Sequence, residues 1–204
     1  MEERLANYFS TLSHMTQVTE ASDALGGALS LADAVNWVIE AARATHDAGS
    51  KLMFIGNGGS ASIASHMAID YSKNGNLRAL AFNDGAALTC LSNDLGYENV
   101  FAKQIEMHGR AGDLLIAISS SGRSPNIHRG VAAARGRGCK VLTLSGFSPE
   151  NPLRRMGDVN LYVPSSEYGF VEITHLALCH AILDLAMGWG TEDAADAAVA
   201  RQAE

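Results

Sequence analysis

From residue 51 onward the chain alternates short apolar runs with stretches of helical periodicity, and this rhythm restricts the fold more than any other feature. KLMFIG precedes SIASHMAIDYSK; LRALAF runs into the turn signal Asn83-Asp84-Gly85; DLLIAIS precedes NIHRGVAAARGRG; KVLTLSG precedes a short helical stretch near PLRRMG; and NLYVPS precedes a long helix from about residue 169. Runs rich in Leu, Ile and Val with no polar alternation suit strands buried on both faces, and consecutive parallel strands need crossover connections such as helices. The expectation is an α/β fold with a parallel sheet covered by helices on both sides. The preceding segment, residues 3–48, carries no strand signal and reads as a helical pair. Its second helix would start at an N-cap, Ser30, with Asp33 in the first turn and Gly49 as the stop, while ALGGALS loosens the join.

With 204 residues, 47% of them hydrophobic, the chain can bury one substantial core, and a single domain over 1–204 is expected, comprising the helices at 3–48, a βα core at 51–188 and a tail at 189–204. The Ala-rich end, TEDAADAAVARQAE, reads as a frayed helix or tail. A formal net charge of -7 argues against nucleic acid or an anionic membrane as the main partner. MEERLANYFS lacks the apolar core of a signal peptide, and no apolar run is expected to be long enough to span a bilayer. The most apolar stretch, FVEITHLALCHAILDLAMGW, is interrupted by Glu172, His175, His180 and Asp184. Cys90, Cys139 and Cys179 are widely separated and read as reduced core thiols, which together point to a soluble, cytoplasmic protein.

Ligands of an open parallel sheet bind beyond the carboxyl ends of its strands. Two loops fall there. In FIGNGGSASIA, Gly56, Gly58 and Gly59 permit tight turns and Ser60 is a possible helix cap; in ISSSGRSPN, Ser124 is a possible N-cap and Pro125 a first helical residue. Each loop would aim backbone N–H groups at one spot near a helix N-terminus, with serine hydroxyls as further donors, and an anion such as phosphate is the natural occupant. Neither loop carries GK[ST] or a GxGxxG fingerprint, so a nucleotide is not indicated. His66 and Asp70 lie four apart on one helical face, and Glu172, His175 and His180 form a second group. Spacing alone leaves open whether these hold a metal, act in catalysis, or merely bond internally.

GNGGSA, ISSSGRSPN, SNDLGYENVF and GDLLIAIS together resemble the sugar isomerase (SIS) fold, and within it the bacterial phosphoheptose isomerases, over roughly residues 3–188. The resemblance implies a flavodoxin-like, five-stranded parallel sheet between helices, assembled as a homotetramer with composite sites. It implies that Ser119, Ser120, Ser121 and Ser124 hold the phosphate of a sugar phosphate, that Asn57, Gly58 and Gly59 contact the sugar, and that Asn93 and Asp94 are a further substrate-contacting pair. It also implies zinc at His66, Asp70, Glu172 and His180, with Asp70 and His180 as the catalytic acid/base pair and Asp70 and Glu172 also touching substrate. Two of these positions depart from the family pattern: Asp70 stands where the family has Glu, and Glu172 where it has Gln. The nitrogen and carboxylate donors suit zinc, and manganese, iron or nickel are alternatives.

Glu172 and His180 on one straight helix would be separated by ~12 Å of rise. Sharing an ion therefore requires either that Glu172 precede the helix, which a start near Tyr168-Gly169 would allow, or a composite site. Glu172 with His175 is the competing pairing; His180 is preferred as ligand and His175 as structural. The implied reaction is sedoheptulose 7-phosphate to D-glycero-D-manno-heptose 7-phosphate for lipopolysaccharide or capsule. Two alternatives are an isomerase of another sugar phosphate, suggested by both departures and by a shortened connection at YSKNGNLRALAF, and a non-catalytic module like the relative of this fold that binds the bacterial replication initiator. His14, His46, His108 and His128 read as helical or surface residues, and Arg123 as either a phosphate contact or a solvated loop residue.

Overall fold

Every side chain of the strands at Leu52–Gly56 and Leu114–Ser119 is buried, as strands sandwiched between two helical layers require. The computed structural model describes residues 1–191. Its elements in chain order are α1 (Glu2–Gln17), β1 (Glu20–Asp23), β2 (Ala28–Leu29), α2 (Leu31–Asp47), β3 (Leu52–Gly56), α3 (Gly59–Lys73), β4 (Ala79–Ala81), α4 (Gly85–Leu95), α5 (Val100–His108), β5 (Leu114–Ser119), α6 (Pro125–Gly136), β6 (Lys140–Ser145), β7 (Val159–Tyr162) and α7 (Tyr168–Ala186), with 3-10 turns at Tyr97–Asn99 and Pro152–Arg155. The tail reading for residues 192–204 lies outside the described residues.

The sheet order is β2-β1-β7-β6-β5-β3-β4. Strands β4, β3, β5, β6 and β7 are parallel neighbours, the expected five. Two antiparallel strands extend the sheet to seven, which corrects both the count and the reading of residues 3–48 as purely helical. β1 pairs with β7 from Glu20↔Tyr162 to Asp23↔Val159, and β2 pairs back on β1. The hairpin turn is closed by the Asp23 carboxylate, which accepts from the N–H groups of Leu25 and Gly27 at 2.8 Å each. EASD and AL are short and polar, so their extended state comes from the open edge of β7 and leaves no period in the sequence.

Side chains alternate across the sheet. Leu52, Phe54, Leu114 and Ile116 face α2, α3 and α7, while Met53, Ile55, Leu115 and Ala117 face α5 and α6. The N-terminal ends of the two central strands are tied together by the fully buried Asp113, which accepts from the backbone N–H of Lys51 at 2.9 Å and from its Nζ at 2.6 Å. Ser30 caps α2 as expected, accepting from Asp33 N at 3.0 Å, and the helix stops just before Gly49.

α7 is long and apolar enough to cross a bilayer by length and composition, which corrects the expectation that no run would qualify. In the fold Val171, Leu178 and Ile182 instead enter the core beneath the sheet. Cys139 and Cys179 are buried, and desolvation pushes their thiols up to about 11 and about 12. Cys90 is exposed on α4, so the core reading fails for that residue. α1 buries none of its residues: Tyr8 stacks on Phe170 at 4.7 Å, while Leu5 and Phe9 stay more than half exposed.

His175 is fully buried, with Nε2 donating to the carbonyl of Ser145 at 3.0 Å. Burial lowers its pKa to about 4. The unfolded chain therefore binds a proton that the folded chain refuses, so this contribution to stability is complete above about pH 6.5 and is lost as pH falls toward about 4. Its size is about 3 kcal/mol. Urea titrations across that range should show His175→Gln losing less stability on acidification than the parent chain; parallel losses would refute the assignment.

Candidate active site

The strand order places a switch point between β3 and β5, where the crossover after β3 leads outward to β4 and the crossover after β5 leads the other way to β6. The loops leaving these two strands open onto one cavity of about 350 Å³. Asn57, Gly58, Gly59 and Ser60 line it from the first loop, Ser119, Ser120, Ser121 and Ser124 from the second, and Tyr168 and Glu172 from the start of α7. A second cavity of similar size, beside Arg154 and Arg155, has no comparable convergence of glycine and serine loops.

Geometry calls for glycine at one of these positions and shows close approach at another. Gly58, the N-cap of α3, has φ 55 and ψ -121, a backbone state that an L side chain rarely adopts. A Cβ on Gly59 would lie 2.3 Å from Glu172 Oε2, so the Glu172 carboxylate rests directly against the first turn of α3. Ser60 lies inside α3 and is buried, and Gly58 takes the cap position assigned to it from the sequence. Ser124 does occupy the N-cap position of α6 and Pro125 follows at its start, but the Ser124 side chain makes no capping bond. Its Oγ lies 3.4 Å from Ser119 Oγ, and both hydroxyls line the cavity. Arg123 is exposed and does not line the cavity; its backbone N–H donates to Ser121 Oγ at 3.3 Å.

On the neighbouring stretch of α3 and α7, His66, Asp70 and His180 converge, with candidate ligand atoms all within 4.8 Å of one another. His66 Nε2 is 3.5 Å and His180 Nδ1 is 3.8 Å from Asp70 Oδ2, and the two imidazoles are 5.3 Å apart. The grouping follows from the one-turn spacing of His66 and Asp70 and from the packing of α3 against α7. Glu172 is not brought into it. α7 already begins at Tyr168, so Glu172 and His180 both lie within the helix and are separated by ~12 Å of rise. Pairing of Glu172 with His175 also fails, because His175 points into the core at Ser145.

Asn93 and Asp94 sit exposed near the end of α4, with the Asn93 amide donating to Asp94 Oδ1 at 2.8 Å, and neither lines the cavity. Two residues not singled out from the sequence brace the loops, and Tyr168, noted there only as the start of a helix, joins them at the site. Asn126 pairs its amide with that of Asn57, Tyr97 donates its hydroxyl to Asn57 Oδ1, and Tyr168 forms part of the cavity wall with its ring edge-on to Phe147 at 4.8 Å. Asn126 and Tyr97 are signalled only by SPN and GYEN, which carry no period. His128, read as a helical or surface residue without a partner, lies in α6 and donates from Nε2 to the Gly122 carbonyl of the serine loop at 2.8 Å.

A family model described as SIS domain matches residues 18–146. A phosphoheptose isomerase of Citrifermentans bemidjiense is 34% identical over 174 residues, covering 81% of this chain and 88% of that relative. The solved structure of a phosphoheptose isomerase from Neisseria gonorrhoeae superposes with a TM-score of 0.79 at 33% identity, covering 91% of this chain and 97% of its own. A phosphoheptose isomerase from Francisella tularensis superposes with a TM-score of 0.76 at 28% identity, covering 90% and 96%.

Space around Gly58 is open, so a methyl group there meets no neighbour and strains only the backbone. Gly58→Ala should therefore lower unfolding free energy by about 1–3 kcal/mol. A urea midpoint unchanged from the parent would show that the turn tolerates a side chain.

Proposed function

The chain belongs to the phosphoheptose isomerase family of SIS-domain proteins, and from that membership we propose that it interconverts sedoheptulose 7-phosphate and D-glycero-D-manno-heptose 7-phosphate. The observation that carries the reading is the arrangement along α3. Its first turn borders the serine-lined cavity, and His66 follows seven residues later, ~10 Å along the axis. A phosphate held among Ser119, Ser120, Ser121 and Ser124 leaves an extended sugar running along α3 toward Asp70 and His180.

Ketose-to-aldose isomerisation removes a proton from C1, passes through an enediolate, and returns a proton to C2 while the hydroxyl proton moves from O1 to O2. Asp70 and His180 form the acid/base pair for these transfers, one at carbon and the other at oxygen. The serine hydroxyls and the backbone N–H groups at the start of α3 and α6 hold the phosphate and fix the register of the carbon chain. Glu172, at the first turn of α3, accepts hydrogen bonds from sugar hydroxyls.

Two imidazole nitrogens and a carboxylate oxygen on His66, Asp70 and His180 suit zinc, with coordination left for substrate. When bound, the ion would supply Lewis-acid stabilisation of the charge that develops on the substrate oxygen. In the homotetramer we propose, a second copy covers α1 and closes over the site, while Glu172 stays with the glycine and serine loops of its own chain. The exposed Ile69 and Ile173, each next in sequence to a site residue, support such a cover. The protein would act in the cytoplasm and supply heptose for lipopolysaccharide or capsule. The Glu172 carboxylate beside the phosphate loops also favours a second reading, an isomerase for another sugar phosphate.

Purified protein supplied with zinc and each of the C5 to C7 ketose 7-, 6- or 5-phosphates should give aldose by NMR with the heptulose as best substrate; no aldose from the heptulose would refute the assignment. His180→Gln should lower kcat by about 10²-fold or more. A chelator should abolish turnover and added zinc restore it, and full activity in the chelated protein would remove the metal from the mechanism.

A further inference from the structure

Asn57 lies in the turn between β3 and α3, and Asn126 is the second residue of α6, with only 2% of its surface exposed. Their amides meet face to face: Asn57 Nδ2 donates to Asn126 Oδ1 at 2.9 Å, and Asn126 Nδ2 donates to Asn57 Oδ1 at 2.8 Å. A single backbone contact settles which atom is which. The N–H of Ile127 reaches a side-chain atom of Asn126 at 3.0 Å, and a backbone N–H can only donate, so that atom is the amide oxygen. The Asn57 atom facing this oxygen must then be its nitrogen.

The rest follows by counting valences. Asn57 Oδ1 accepts from Asn126 and from the Tyr97 hydroxyl at 3.0 Å, which engages both of its lone pairs. Asn57 Nδ2 spends one N–H on Asn126 and keeps the second. Since Asn57 lines the cavity, what it offers a ligand is a donor and never an acceptor.

We propose that Asn126 and Tyr97 are positioning residues that lock the Asn57 amide so that the site presents an N–H to an oxygen acceptor of the sugar phosphate. Without the lock the amide flips freely between two nearly isosteric states, one of which turns an oxygen toward the anion. Tyr97 belongs to the segment joining α4 to α5, so the lock also ties that segment to the phosphate loops. The inference rests on the cavity being the sugar-phosphate site, while the orientation of the amide does not depend on which sugar is bound.

Neutron diffraction from the deuterated, otherwise unaltered protein reads the orientation directly. One deuteron of Asn57 Nδ2 should point at Asn126 and the other into the cavity; Oδ1 found on the cavity side would overturn the proposal whether or not any sugar turns over. Kinetics test its consequence. Asn126→Leu should raise KM for sedoheptulose 7-phosphate about tenfold, equivalent to about 1.4 kcal/mol, with kcat changed less than about twofold. Tyr97→Phe should raise KM by about threefold. Because both act through Asn57, adding Asn126→Leu to Asn57→Ala should change KM no further. Additive losses, or a fall in kcat at constant KM, would contradict the lock. Failure of the parent protein to isomerise any ketose phosphate would instead strike the functional assignment and leave the neutron result standing.

Discussion

A strand with no wet face admits a polar side chain along its length only where a buried partner satisfies it, so most of its chemistry is driven to its ends. β3 and β5 meet this condition along their whole length, with helices on both sides. The polar groups that the chain carries near them are consequently concentrated in the turns after Gly56 and Ser119. Because β3 and β5 are neighbours whose crossovers diverge, those turns are left facing each other across a gap that neither helical layer fills. The cavity is thus a by-product of burying the sheet well, and α3, which starts at one of the turns, carries the same geometry toward His66 and Asp70.

α7 shows how narrowly burial separates roles. His175 and His180 are five residues apart on one helix, and the helical turn sends them to different environments. His175 is sealed against Ser145 and is held neutral by desolvation, so it can serve as a fixed hydrogen-bond donor within the core. His180 remains partly solvated within reach of Asp70 and His66, where an imidazole can exchange protons or bind an ion. The same helix sets Glu172 and His180 at opposite sectors of the site, so one copy of the chain presents its carboxylate to the glycine and serine loops and its imidazole to the three-residue cluster.

What was legible in the sequence was whatever left a period or a local chemical signal. The five parallel strands were legible because each is a continuous apolar run between helical stretches, and the start of α2 was legible because a Ser30 cap needs only its own neighbours. The β1–β2 hairpin was not, since residues as polar as Glu20 and Asp23 become extended only by pairing with β7. Within the candidate site, the glycine and serine loops and the one-turn pair His66 and Asp70 could be picked out locally. Ser60 has the chemistry of a cap, but Gly58, with a backbone state open to glycine, starts the helix earlier. Asn126, Tyr97 and His128 act across loops distant in sequence, and nothing in their immediate surroundings marks them.

The hairpin has a further meaning for how these molecules behave when crowded. A parallel sheet of this kind ends in a strand whose outward row of amides and carbonyls could recruit any other extended chain. Here β7 is covered by β1, β1 by the two-residue β2, and at the opposite side β4 is only three residues long. The molecule tapers its sheet to stubs at both margins, which gives stray strands little to zip onto.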